Sequence, residues 1–252
     1  MPRLEYLKAI VPIVKLEPKE PPEIAEPKEL LGTGFFTGNP LAVVTAKHVF
    51  EMSPLKSGEA YAVVGWATSG HLPGCLIPGI LKSTVHDVAA FKWPNPDHFD
   101  VVSLAIATEK VPTDQDVLML EFSESYFDEV ATTQRAIFLW PLTHKGNVML
   151  HYTGTIGRTA GTPAFVTSFP ALQGASGAPV LRHSDKAVVG MMVGNKESLL
   201  VPAQVVEILD GENYLEETKY FLPHGLGIAS DAILEFLVSI GVQPQIAARL
   251  SS

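Results

Sequence analysis

The sequence predicts an all-β chain, a barrel or a sandwich, with one helix at its C-terminus. Three observations carry this expectation. Gly and Pro number 20 each in 252 residues, above the usual share of about 12%, so the chain turns often. Short β-branched or aromatic runs recur between Gly, Pro, Asn and Asp without helical periodicity between them. Sustained helical spacing appears only near the end.

The elements are taken from the N-terminus. Residues 9–16 form an apolar run bracketed by Lys8 and Lys15, with Pro12 inside. The run is too short for a membrane span and has no small-residue cleavage site, so it reads as a strand. Residues 17–30 are rich in Pro and charge and read as an extended surface connection. Leu31-Gly32-Thr33-Gly34-Phe35-Phe36-Thr37-Gly38-Asn39-Pro40 reads as a hairpin. Its return strand, Leu41-Ala42-Val43-Val44-Thr45-Ala46, ends in Lys47-His48-Val49. Further strands are predicted at 60–66, 76–84, 88–93, 100–107, 116–122, 135–140, 147–152, 163–168, 178–182 and 187–194. A helix is predicted at 203–209, before Asp210-Gly211. The C-terminal helix starts with Ser230 as N-cap and Asp231 in its first turn. It carries Ile233, Leu234, Leu237, Val238 and Ile240, and stops at Gly241.

Composition excludes several functions. One Cys allows neither an intramolecular disulfide framework nor a multi-Cys metal site. A net charge of −9 disfavours nucleic acid as a partner. No run of about 18 uncharged apolar residues occurs, so no membrane span and a cytoplasmic location are expected. His71, His86, His98, His144, His151, His183 and His224 are scattered without ligand spacing, so no metal and no cofactor is expected. Cys75 reads as a small buried hydrophobe. Gly154-Thr155-Ile156-Gly157-Arg158 and Gly225-Leu226-Gly227 read as turns, and the acidic run around 207–217 as a solvated loop.

Chemistry concentrates in two segments. Leu172-Gln173-Gly174-Ala175-Ser176-Gly177-Ala178-Pro179-Val180 places a Ser between glycines, directly ahead of a strand. Gly174 permits a backbone in which its N–H and that of Ser176 converge to stabilise an oxyanion. Gly177 would leave room for substrate beside Ser176. The second segment, Val43-Val44-Thr45-Ala46-Lys47-His48-Val49, mounts His48 at the end of a buried strand, where a general base needs rigidity. Together they make a nucleophile–base pair.

These motifs resemble those of trypsin/chymotrypsin-fold serine peptidases of the bacterial type, similar to the high-temperature-requirement proteases without an appended peptide-binding domain. The family shows Gly-X-Gly-Phe, Thr-Ala-X-His-Val, an Asp heading a strand, and Gly-X-Ser-Gly-X-Pro, and all four occur here in that order. The resemblance spans roughly residues 5–240. It implies two six-stranded antiparallel β-barrels with a C-terminal α-helix. The boundaries would be 1–30 for the N-terminal strand and connection, 31–115 and 116–228 for the barrels, and 229–252 for the helix and tail. The sequence departs from the family at Ala175, usually Asp or Asn, and at Ala178, usually Gly.

The resemblance implies a serine endopeptidase acting on peptides or proteins through a Ser-His-Asp triad and an acyl-enzyme, with Ser176 and His48 as two members. Asp100, heading Asp-Val-Val-Ser-Leu-Ala-Ile, is the favoured third, because the segments C-terminal to it resemble the crossing between barrels. Asp87, heading Asp-Val-Ala-Ala-Phe-Lys-Trp, is the alternative, with the closer local match through Ala89. The strand after the nucleophile, with Met192, Val193 and Gly194, would pair with substrate. With Pro170 and Ala171 it would wall the primary specificity pocket. No acidic residue lies at 168–171, which predicts a small or apolar P1 residue. A competing reading, motivated by Ala175 and Ala178, is a trypsin-like scaffold of weak or no catalysis that binds peptides or a partner protein. An α/β-hydrolase ordered Ser176, Asp210, His224 is disfavoured, because Ala178 breaks its Gly-X-Ser-X-Gly elbow.

Overall fold

The computed structural model describes residues 3–19, 25–65, 74–93, 100–131, 134–154, 157–199, 203–209, 212–218 and 221–248. His71 and His98 lie outside these residues, as do the whole segments 66–73, 94–99 and 155–156 and Asp210-Gly211.

A short helix α1 (Arg3–Leu7) precedes β1 (Ile10–Glu17), so the expected N-terminal strand begins only at Ile10. β2 (Glu26–Thr37) starts inside the segment expected to be a loose connection. The charges that suggested solvent exposure there pair across strands instead. Lys28 Nζ lies 3.0 Å from Glu17 and 2.9 Å from Glu26, beside the pair Glu17↔Glu26 that ends the β1–β2 ladder. β3 (Ala42–Thr45), α2 (His48–Glu51), β4 (Ala60–Val64), β5 (Gly74–Leu76), β6 (Leu81–Lys82) and β7 (Ala89–Lys92) come next. These strands form one antiparallel sheet in the order β5-β4-β1-β2-β3-β7-β6.

This sheet has seven strands and curls without closing among the described residues, where a six-stranded barrel was expected. Its edge strands are short, three residues in β5 and two in β6, with Pro78 and Gly79 in the link between them. Both faces are buried: Ile13, Phe36, Val43 and Phe91 share one, and Ile10 and Phe35 lie on the other.

Residues 100–107 are not the predicted strand. Their backbone touches several segments in turn, Val102 N–H bonding Lys8, Leu104 N–H bonding Phe36 and Ile106 bridging Val188. The segment is the crossing between the two halves.

The second half holds β8 (Asp116–Glu121), β9 (Tyr126–Ala131), β10 (Gln134–Phe138), β11 (Leu142–Thr153), β12 (Pro163–Thr167), β13 (Pro179–Arg182) and β14 (Val188–Leu199). β15 (Ala203–Leu209), β16 (Glu212–Thr218) and β17 (Phe221–Ala229) complete it. Six of these close into a barrel in the order β11-β12-β17-β14-β13-β8. β14 and β17 pair on as far as Leu199↔Phe221. β15 pairs with β16, so the helix predicted at 203–209 is a strand. Val205, Val206 and Ile208 are β-branched and favour the extended chain.

Helix α3 (Ser230–Ser239) matches the predicted helix, with the extended Ala229 rather than Ser230 at the N-cap position. Gly241, at φ +73°, ends it. The tail then crosses to the first half, where Gln243 and Asn39 exchange backbone hydrogen bonds of 2.8 and 2.9 Å. Among the described residues no helix is long and apolar enough to cross a membrane.

Candidate active site

His48 and Asp87 meet because β3 and β7 are antiparallel neighbours. The register pairs Thr45 with Ala89, so the residues just after β3 and just before β7 share one end of the sheet. His48 opens α2, and its backbone N–H donates to Asp87 Oδ1 at 2.9 Å. Its Nδ1 lies 2.6 Å from Asp87 Oδ2. The carboxylate can only accept, so Nδ1 carries the proton and Nε2 presents a lone pair. Both residues are buried, at 8% and 5% exposure. The loop that carries Asp87 is folded on Ser83, whose Oγ accepts the N–H groups of Val85 and His86.

Ser176 comes from the other half. Its Oγ lies 2.7 Å from His48 Nε2, which completes a hydrogen-bonded line from Asp87 to Ser176. The Ser turn is bolted to the first sheet. Thr33 N–H donates to Ser176 O at 2.9 Å, and Thr33 Oγ1 donates to Gly174 O at 2.9 Å. Thr45 Oγ1 in turn donates to Thr33 O at 2.8 Å. Gly174 and Gly177 have φ of +96° and +87°, which other residues rarely adopt. A Cβ on Gly177 would stand 2.1 Å from both Thr33 O and Thr45 Oγ1. Gly177 therefore makes room for the facing sheet rather than for a substrate, as the sequence suggested. Ala175 and Ala178 are fully buried and pack in the barrel core.

Asp100, the favoured acid, is not beside His48. It pairs with Lys8 Nζ and is about one-third exposed. It lies in the crossing segment, whereas the position facing His48 belongs to Asp87.

The residues expected to meet substrate lie around the Ser turn. Met192 exchanges backbone hydrogen bonds with the Ser turn, its O accepting from Gly177 N–H at 2.8 Å and its N–H donating to Ala178 O at 2.9 Å. Val193 falls at a register shift between Met192↔Gly227 and Gly194↔Leu226. Ala171, next to Pro170, is gripped by the Asn195 amide, which accepts from its N–H and donates to its O, both at 2.7 Å.

One residue at the site was not legible as such. Arg158, in a single 3₁₀ turn (Gly157–Thr159), places Nη1 3.3 Å from His48 Nε2 and 2.9 Å from Val193 O. Its Nη2 lies 2.9 Å from Met52 Sδ. The sequence offered only a Gly-flanked turn there. Cys75, expected to be buried, is half-buried in the edge strand β5, and burial pushes its thiol above the ordinary value. Among the described residues no three His, Cys, Asp or Glu side chains cluster as metal ligands.

Comparison with known proteins bears on the family and the fold. The model of trypsin-like peptidase domains matches residues 32–191. No curated protein matches in sequence. Among solved structures, the active form of the Rv3671c protease from M. tuberculosis is similar over 98% of this chain and 90% of its own, at 17% identity and TM-score 0.56. The MamO protease domain from Magnetospirillum magneticum is similar over 92% of this chain and 96% of its own, at 14% identity and TM-score 0.55. The HtrA-type protease AlgW with tripeptide aligns over 93% of this chain but only 60% of its own, at 12% identity and TM-score 0.53.

Proposed function

The chain belongs to the trypsin-like peptidase domain family, and from that premise we propose that it is a serine endopeptidase acting through Ser176, His48 and Asp87. The carrying observation is the unbroken line Asp87 Oδ2 to His48 Nδ1 at 2.6 Å and His48 Nε2 to Ser176 Oγ at 2.7 Å. Ser176 Oγ attacks the scissile carbonyl while His48 Nε2 takes its proton. Asp87 holds the Nδ1–H tautomer and stabilises the imidazolium that forms. The tetrahedral oxyanion is held by the N–H groups of Gly174 and Ser176, in a turn fixed at two points by Thr33. His48 then gives its proton to the leaving amine, and the acyl group remains as an ester on Ser176. Water, deprotonated by the same Nε2, releases the acid.

Substrate lies along β14, beside Met192, Val193 and Gly194, with the P1 side chain directed toward Pro170 and Ala171. The polypeptide is the substrate class; AlgW, for comparison, has been seen with a tripeptide. The test is labelling by a serine-directed fluorophosphonate. Wild-type protein takes the label and Ser176→Ala does not. Folded wild-type protein that refuses the label leaves instead the non-hydrolysing scaffold that binds peptides.

A further inference from the structure

Arg158 fills a position that the peptidase reading leaves unexplained. Resting on that reading, we propose that Arg158 determines specificity: its guanidinium takes the carboxylate of an acidic P2 side chain, one residue before the attacked carbonyl, and screens the site when none is present.

Among the described residues three groups bond the guanidinium, none of them an anion, and Arg158 is otherwise exposed to solvent. Met52 Sδ is a weak acceptor on a side chain 70% exposed, so the contact sits at the cleft mouth. Val193 O is a single neutral carbonyl. His48 Nε2 offers a lone pair already directed at Ser176 Oγ. Among the described residues no carboxylate lies within ion-pair distance of Arg158. A planar guanidinium is matched by a carboxylate that takes two parallel hydrogen bonds. A Cβ at Gly194 would lie 3.6 Å from Nη1, an ordinary contact, so β14 runs alongside the guanidinium.

Two of the three contacts oppose catalysis. Val193 lies at the irregularity of the β14–β17 ladder, and its carbonyl is one that an added substrate strand would use. His48 must become an imidazolium during the reaction, and a permanent cation 3.3 Å from Nε2 opposes that charge. A carboxylate on the substrate draws the guanidinium off both atoms and neutralises it. The position follows from strand geometry. Successive side chains of an extended peptide point to opposite sides. With P1 directed toward Ala171, P2 faces His48 and Met52, where Arg158 lies.

The experiment uses fluorogenic peptide libraries with matched Asp/Asn and Glu/Gln pairs at P1 and P2. Wild-type enzyme is expected to cleave an acidic P2 about tenfold or more faster in kcat/KM than its amide twin. In Arg158→Gln, shown to be folded by circular dichroism, the ratio collapses toward one. Equal cleavage of both twins by wild type overturns the proposal, as does a preference that persists in Arg158→Gln or sits at another position. The same peptides are also titrated into Ser176→Ala and Ser176→Ala/Arg158→Gln by fluorescence anisotropy. Tighter binding of the acidic twin that needs Arg158 supports the proposal without any turnover, and equal binding overturns it. Failure of Ser176 to label, by contrast, overturns only the peptidase reading.

Discussion

Asp87 grips His48 at two points, one carboxylate oxygen on the backbone N–H at 2.9 Å and the other at Nδ1 at 2.6 Å. The first contact fixes where α2 begins, and the second fixes the ring and its tautomer. An amide in place of the carboxylate presents an N–H to one of these donors and permits the wrong tautomer. Asp87→Asn is therefore expected to lower kcat by about 10³–10⁴-fold with the protein still folded. Asp100→Asn breaks only a partly exposed pair with Lys8 and is expected to change kcat by less than about twofold. Steady-state kinetics on both variants decides the matter. A severe loss in Asp100→Asn alone would return the role to Asp100.

The Ser turn owes its position to Thr33, which connects the two halves. Thr33→Val removes the hydroxyl that donates to Gly174 O while leaving the backbone bond to Ser176 O. A buried carbonyl loses its partner, at a cost of about 1–3 kcal/mol. The variant should unfold at lower denaturant and label more slowly at Ser176. Gly177→Ala is harsher, because its Cβ would collide with Thr33 O and Thr45 Oγ1 at a φ of +87°. A loss of at least about 2 kcal/mol is expected in urea unfolding. A Gly177→Ala protein of unchanged stability would contradict this account of the turn.

What the sequence made legible was local. Thr45-Ala46-Lys47-His48 and Gly174-Ala175-Ser176-Gly177 each declare a strand end or a tight turn within a few residues, so the meeting of His48 with Ser176 could be anticipated. The carboxylate could not be chosen that way. Its position depends on the pairing of Thr45 with Ala89, a register between segments 44 residues apart, and only the small Ala89 hinted at it. Residues 100–107 misled because an extended chain alternates like a strand even when its hydrogen bonds go to unrelated segments. Residues 203–209 misled because a short apolar run fits either period. Arg158 reaches His48 across 110 residues of sequence, and no spacing rule reports such an approach.

Ala178 departs from the glycine usual at that position of the family, and the barrel has absorbed the methyl. Ala178 is fully buried and held at both backbone atoms, its N–H by Ala175 O and its O by Met192 N–H. Ala178→Gly should therefore not raise activity. It should cost about 1 kcal/mol, from a lost methyl and a freer unfolded chain. Ala175→Asp should cost more, since it places a carboxylate in a fully buried position among Ala171, Val180 and Val189. Thermal unfolding and peptidase rates measured together test both; a gain in kcat for Ala178→Gly would show that the methyl restrains the Ser turn.

Arg182 gives the second barrel an acid-sensitive fastening. It is 1% exposed at the end of β13, donates to Asp185 at 2.9 and 2.7 Å, and pairs with Glu109 through Nη1. The hydrogen bonds from Arg182 hold the Asp185 carboxyl below its ordinary value of 3.8, against the opposing effect of its partial burial. A carboxyl depressed in the folded state contributes stability that is fully present above its unfolded value. That contribution is lost as pH falls through the folded value. Asp185→Asn should thus be less stable than wild type at pH 7 by about 1 kcal/mol, a modest figure because the carboxylate is 31% exposed. The gap should narrow below about pH 4 as the wild-type carboxylate takes up its proton. Urea unfolding midpoints at pH 7, 5 and 3 measure it, and a gap that stays constant across that range would mean the ion pair does not set the acid limb.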